Sequence, residues 1–242
     1  MLDRSDRGHV AWDIETTGFG WSAKITVSGF WYPGGHATLV VNAGPHAVDA
    51  DAFEASLADA SRAPVRVCVA DDEAGLLREM GQEVFERFDR DYNRLVAYNA
   101  DSWKGGFDLP FVRTRCIRQR IDWMFGDVVF ADLWEPVKKR LNTTHTAYGS
   151  SSDVNTLTGA HEILFDRNGR LADLPDDVDE HEWYRESPYD PFGDSGSAAA
   201  RYREGDLLPV CLHNLADVHR TWELGELVRQ FVSSKDDTEK TL

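Results

Sequence analysis

Residues 9–18, His-Val-Ala-Trp-Asp-Ile-Glu-Thr-Thr-Gly, constrain the fold more than any other stretch. Side chains of a strand alternate between its faces, so Asp13 and Glu15 point one way while Trp12 and Ile14 point the other, toward a core. Two carboxylates side by side on one face repel each other unless water solvates them or a cation lies between them. The stretch is therefore either an edge strand with a solvated acidic face or a metal-binding strand, and the rest of the chain must separate the two.

The pattern that follows predicts an α/β fold. After the turn at Gly18-Phe19-Gly20, residues 23–32 and 37–42 are rich in β-branched and aromatic types and are separated by Pro33-Gly34-Gly35, which gives a three-stranded antiparallel beginning. A short helix is expected over 50–60 and another extended piece over 65–69. From Asp72 to Arg90 the apolar residues Leu76, Leu77, Met80, Val84, Phe85 and Phe88 recur at three- and four-residue steps, which predicts an amphipathic helix. Residues 95–99 and 128–131 read as strands, and a helix is expected from Asp108. Alternating strands and helices of this kind imply a sheet with helices on its faces. The Ser/Thr/Asn-rich part of 141–165 reads as loop, residues 173–200 as a long exposed excursion, and the last eleven residues as a frayed tail. A final helix is expected from Glu204 or Asp206.

Charge narrows the partners. The chain has 42 acidic and 26 basic side chains and a formal net charge of −16, which argues against a broad basic surface gripping nucleic acid but allows a local patch or a bound cation to manage phosphate. Cys68, Cys116 and Cys211 are far apart and lack metal-ligand spacing, so they read as thiols of a reducing compartment. No stretch approaches the roughly 20 apolar residues of a membrane span, and the expectation is a cytoplasmic protein that does not engage a membrane.

Other carboxylates join the first pair. Asp108 follows Gly105-Gly106-Phe107 at an expected helix start, where a plain N-cap is one role and a ligand the other. Asp217 lies beside the apolar face of the last helix with Arg220 three residues on, so an ion pair is its simplest role. Brought together, the four carboxylates form the oxygen-rich donor set that hard divalent cations prefer, and paired cations suit hydrolysis of a phosphodiester.

In order along the chain, Asp13-Ile14-Glu15-Thr16-Thr17-Gly18, Tyr98-Asn99 with Phe107-Asp108-Leu109-Pro110, and Asp217-Val218 with Thr221 and Leu224 resemble the three exonuclease motifs of the DEDD superfamily. Gly205-Asp206 ahead of the third motif resembles the branch around family B DNA polymerase exonucleases and their stand-alone relatives. The resemblance runs over about residues 9–230 and implies a single ribonuclease H-like domain, a mixed sheet with helices on both faces, across 1–242. It implies a 3′–5′ exonuclease of single-stranded nucleic acid, DNA favoured over RNA, that uses two divalent cations, Mg²⁺ or Mn²⁺. Asp13, Glu15, Asp108 and Asp217 would be the ligands. Thr16 or Thr17, with neighbouring backbone N–H groups, would meet the terminal nucleotide, and Asn99 would support the ligands from behind or position the substrate. Phe107, Trp103 or Phe19 would be candidates to stack on a base, and Asp132 would support the site from the end of a strand. A polymerase, helicase or repair protein would be a natural partner.

Two departures matter. A tyrosine four residues before the last motif's aspartate, or a histidine five before it, marks the family's branches, whereas here His213 stands four before Asp217. That spacing puts ring and carboxylate on one helix face, so His213 is either a general base or a simple partner of Asp217. His219 fits neither spacing and reads as a surface residue. The stretch from Asn99 to Asp108 is also longer than the family's second motif, which offers Lys104 to phosphate. The alternatives are a structure-specific endonuclease or ribonuclease of the same fold, and an inactive scaffold or nucleic-acid-binding module.

Overall fold

The computed structural model describes residues 7–102, 106–147, 150–153, 156–165, 190–192 and 195–242. In chain order the elements are β1 (Gly8–Thr16), β2 (Ile25–Tyr32), β3 (His36–Asn42), α1 (Ala50–Ser61), β4 (Val65–Ala70), α2 (Glu73–Arg87), β5 (Asn93–Ala97), α3 (Asp108–Gln119), β6 (Val129–Asp132), α4 (Trp134–Arg140), β7 (Thr144–Ala147), β8 (Ser150–Asp153), α5 (Leu157–Leu164), α6 (Ser195–Glu204), α7 (Leu207–Phe231) and β9 (Glu239–Thr241). Seven strands form one sheet in the order β4-β3-β2-β1-β5-β6-β9, and β7 and β8 pair separately. The expected antiparallel beginning is present, β1 with β2 and β2 with β3, while β4 joins β3 and β5 joins β1 in parallel.

Helices cover both faces. Ala11, Val27, Trp31, Leu39 and Val96 pack on α1 and α7, while Val10, Trp12, Ile14, Phe30 and Leu95 pack on α2 and α3. The alternation read from β1 is thus realised, but β1 is no edge strand. It lies between β2 and β5, and its carboxylates face α7 in place of solvent. The mixed α/β fold is as expected; the strand order is not that of a plain ribonuclease H-like sheet, because β4 and β9 extend its two edges.

Three stretches differ from expectation for identifiable reasons. Part of the excursion predicted over 173–200 is helical, since α6 begins at Ser195, where Ala198 and Ala199 are small enough to pack closely against the core. The C-terminal residues are not frayed. Glu239–Thr241 pair with β6, and Arg94, buried, bonds Asp237 at 2.6 Å and Glu239 at 3.0 Å, so polar sequence is held by a compensated charge. Residues 144–147 and 150–153, read as loop, pair as a hairpin. His219 is fully buried against Trp31, because α7 is enclosed by the sheet and by other helices and has almost no solvent-facing side in its middle turns.

Candidate metal centre

The sheet places the site by its topology. From β1 the chain lays β2, β3 and β4 down successively on one side, then crosses to β5 and β6 on the other. The crevice at the carboxyl ends of β1 and β5 lies at this reversal, where ligands bind in open α/β sheets. Three stretches converge there: the end of β1 with Asp13 and Glu15, the start of α3 with Asp108, and the middle of α7 with His213 and Asp217.

Glycines permit the convergence. Gly29 of β2 is paired with Asp13, and a Cβ there would lie 2.2 Å from Asn214 Oδ1 and 3.0 Å from Val218, so α7 can approach the sheet only over a bare backbone. At that distance Asn214 Nδ2 donates to Asp13 Oδ2 at 2.9 Å. Gly106, with φ +66, sits so tightly that a Cβ would fall 2.1 Å from the Asp101 nitrogen and 2.2 Å from the Ala100 carbonyl carbon. The longer second motif therefore turns back on itself, and Leu109 N donates to Ala100 O at 3.3 Å to start α3 beside the end of β5.

Asp132 ties this turn down. Its Oδ1 accepts from Asn99 N at 2.9 Å and Trp134 N at 3.0 Å, and its Oδ2 accepts from Asp101 N at 2.8 Å. The supporting position expected for Asp132 thus consists of backbone bonds that shape the loop leading to Asp108. Asn99 adopts φ 62 at the apex of this arrangement. Trp103 and Lys104 lie outside the described residues.

The threonine hydroxyls bond locally. Thr16 Oγ1 donates to Gly18 O at 2.9 Å, and Thr17 Oγ1 accepts from Lys24 N at 3.0 Å, so both shape the turn after β1. Phe107 lies edge-on to Phe19 at 5.1 Å and against Phe111 at 4.9 Å. Asp108 is not the N-cap of α3; that position is Phe107, and its side chain makes no capping bond. The Asp108 carboxyl is buried, with no such structural duty.

Glu15, His213 and Asp217 form a buried cluster able to coordinate one metal ion, each offering an atom within 4.8 Å of the others. His213 Nε2 stands 3.6 Å from Glu15 Oε1 and 3.7 Å from Asp217 Oδ2, and it has no hydrogen-bond partner among the described residues. Its Nδ1 is 2.7 Å from Asp190 Oδ1. A carboxylate only accepts, so Nδ1 carries the donated proton and Nε2 is the nitrogen left to face the cluster. Asp190 Oδ2 accepts from Arg220 at 2.5 Å, and the same Arg220 nitrogen bonds Asp217 Oδ1 at 2.7 Å, which is the ion pair expected from the i, i+3 spacing.

Electrostatics set this cluster apart. Burial, then repulsion from Asp108, Glu15 and Asp217, raises the Asp13 carboxyl well above the ordinary range despite the opposing effect of His213. Glu15 is raised by burial and by Asp217, Asp108 and Asp190, with no opposing cause. Asp108 is pushed up to about 8 by burial and by Asp132 and Asp217. Burial also raises Asp217, against His213 and Arg220. For His213, burial works to lower the pKa, but Asp190, Asp217 and Asp13 hold it above the ordinary value. The donor set suits a divalent cation: carboxylate oxygens that repel one another and an imidazole nitrogen without a hydrogen-bond partner among the described residues.

The structure brings Asp13, Glu15, Asp108, His213 and Asp217, all named from the sequence, into one electrostatic group; sequence reading missed Asn214 and Asp190. Gly29 opposite Asp13 could have pointed to Asn214 only once the pairing register was known. Asp190 gave no signal, because it stands among many acidic residues outside any periodic element.

The chain matches no protein-family model and no curated protein.

Proposed function

We propose that the protein is a metal-dependent 3′–5′ exonuclease of the DEDD type, built on an elaborated ribonuclease H-like sheet and acting on single-stranded nucleic acid, DNA before RNA. The observation that carries the reading is the meeting of Asp13, Glu15, Asp108 and Asp217, each supplied by one of the three ordered motifs, in a single buried and mutually repelling group. A structural acidic surface would be solvated, and structural buried carboxylates would each have a cation or donors of their own, whereas here Asn214 serves Asp13 and Arg220 serves Asp217 while the four still repel one another.

Glu15, Asp217 and His213 would hold one divalent cation, with Asp13 and Asp108 placed to complete it or to take part in holding a second. When bound, such cations make a nucleophile of water at neutral pH and stabilise the charge on the phosphate and the leaving 3′ oxygen. The chain's own groups supply the rest. Asn214 fixes Asp13 through the oxygen that it donates to, Oδ2. Asp190 orients the His213 ring, and Arg220 holds Asp217 and Asp190 in register. Nε2 of His213 serves as a ligand or accepts a proton from the attacking water; both uses need the tautomer that Asp190 selects.

The test is degradation of 5′-labelled single-stranded DNA and RNA of identical sequence with Mg²⁺ or Mn²⁺. A ladder shortening from the 3′ end, absent with Asp13→Ala, is the expected result. Internal cuts in place of the ladder would favour an endonuclease, and no cleavage of either strand would leave a scaffold.

A further inference from the structure

The turn between β1 and β2 carries two large aromatic side chains into solvent, Phe19 at 81% and Trp21 at 75% exposure. Exposed rings on a firmly held backbone are unusual, because hydrophobic side chains gain free energy by turning inward. This backbone is held. Arg118 Nη1 donates to Trp21 O at 2.5 Å, Arg203 Nη2 donates to Thr17 O at 2.8 Å, and Ala23 N donates to Gly20 O at 2.9 Å. The turn lies along α3 and touches it at two places: Phe19 against Phe107, and Trp21 under the Arg118 guanidinium, whose Cζ is 3.9 Å from the ring centre.

Phe107, Phe111, Thr114 and Arg118 recur at four-, three- and four-residue steps and so share one side of α3. At 1.5 Å per residue this row extends about 16 Å away from the end of the helix that bears Asp108. Charge along α3 as a whole is inverted relative to the chain. From Leu109 to Arg120 the chain has Arg113, Arg115, Arg118 and Arg120 and no acidic residue, although the formal net charge is −16. Arg115 is neutralised by buried Glu73, while Arg118 and Arg120 are exposed.

We infer that the β1–β2 turn and the outer side of α3 form a docking track for a single strand of nucleic acid that leads to the carboxylate cluster. The inference rests on the nuclease reading, for which it names the route of the substrate. Phe19 and Trp21 offer π faces to bases irrespective of sequence, and Arg118 and Arg203, exposed and bonded to the turn, offer cations to the phosphates between them. The basic character of this face in an acidic chain selects a polyanion over an apolar protein partner.

The test is binding of a fluorescein-labelled oligo(dT), read by anisotropy in chelator so that nothing is cut, and repeated with Asp13→Ala in Mg²⁺. Phe19→Ala and Trp21→Ala should each weaken binding about ten-fold. Arg118→Ala should lower the slope of log affinity against log salt by about one. Phe85→Ala, an equally exposed aromatic on α2, should change nothing. The track is overturned by a parent protein that does not bind oligo(dT) at low salt, by Trp21→Ala binding as the parent does, or by an equal loss in Phe85→Ala. It is also overturned if sedimentation shows a dimer that Trp21→Ala dissolves while oligo(dT) binding is unchanged, since the turn would then meet a second copy. A 3′ ladder with binding insensitive to these variants overturns the track alone; binding that responds to them without any ladder overturns the nuclease reading alone.

Discussion

Two buried acidic regions of this molecule differ in how their charge is met. At the start of α2, Glu73 Oε1 accepts from Ile25 N at 2.9 Å and Arg115 Nε at 2.7 Å, while Oε2 accepts from a second Arg115 nitrogen and from Gln119 at 3.1 Å. That carboxylate is compensated by the chain itself, and it ties β2, α2 and α3 together. Between β1 and α7, four carboxylates, Asp13, Glu15, Asp108 and Asp217, are met by less: Arg220, which also serves Asp190, bonds Asp217, and His213 opposes the raised pKa of Asp13 and Asp217. On the reading proposed above, the difference separates charge used for folding from charge kept for a ligand. Glu73 is met by a full complement of partners, whereas the group nearest Glu15 that can carry positive charge is His213, 3.6 Å away and shared with Asp217.

The sharpest way to break the comparison is to remove charge from each region and measure urea unfolding in chelator. Arg115→Ala leaves Glu73 buried and unpaired and should cost about 3–5 kcal/mol. Glu15→Gln, of nearly the same shape, should do the opposite and stabilise the metal-free protein slightly, because it takes a repelling carboxylate out of the cluster. A loss of stability in Glu15→Gln as large as that in Arg115→Ala would mean that the cluster is structural. Divalent cation should then reverse the order. Mn²⁺ at a hundred times its dissociation constant should stabilise the parent by about 2.7 kcal/mol, and that gain should vanish in Asp217→Asn. Arg120→Ala, exposed and distant from the cluster, should keep it.

How much of this could be read from the sequence depends on whether the signal is local. The alternation in β1 and the three- and four-residue steps of α2 are imposed by the burial of neighbouring side chains, so strands, helices and the shared face of Asp13 and Glu15 were legible. The i, i+3 and i, i+4 relations in α7 likewise gave Arg220–Asp217 and placed His213 on the face of Asp217. Contacts made between remote segments left no such trace. Asn214 reaches Asp13 only because Gly29 leaves space across a strand pair, and Arg94 holds the C-terminal strand through Asp237 and Glu239. His219 was misplaced because α7 is buried nearly all round, a property of the layers packed against it and not of its own period.

The pH dependence sharpens the same contrast. Asp108 is pushed up to about 8 in the folded protein, against roughly 4 for an unfolded carboxylate. A carboxyl whose folded pKa is raised contributes stability that is complete below the unfolded value and is lost as pH rises through the folded one. Metal-free protein should therefore unfold at lower urea as pH climbs from about 4 toward 8. Asp108→Asn should flatten that decline and raise stability at the alkaline end by on the order of 1–2 kcal/mol. A parent with no such decline in chelator would remove the argument that the cluster is uncompensated.

The smallest expected effect concerns Asp190, which belongs to the compensated kind while touching the uncompensated one. Its oxygens accept from His213, Arg220 and Phe192 N, and burial's tendency to raise its carboxyl is outweighed by His213 and Arg220, which hold it below the ordinary range. On the proposed reading Asp190 would act through His213: a charged acceptor on Nδ1 fixes the ring and would make Nε2 a better donor to a cation. Asp190→Asn keeps the shape and removes the charge, so it should weaken Mn²⁺ binding about ten-fold by calorimetry while leaving the urea midpoint in chelator nearly unchanged. Asp190→Glu should recover part of the affinity. If Asp190 only anchored its own segment, its loss would lower the midpoint and leave the Mn²⁺ isotherm where it was, and the boundary between folding charge and ligand charge would then run between Asp190 and His213.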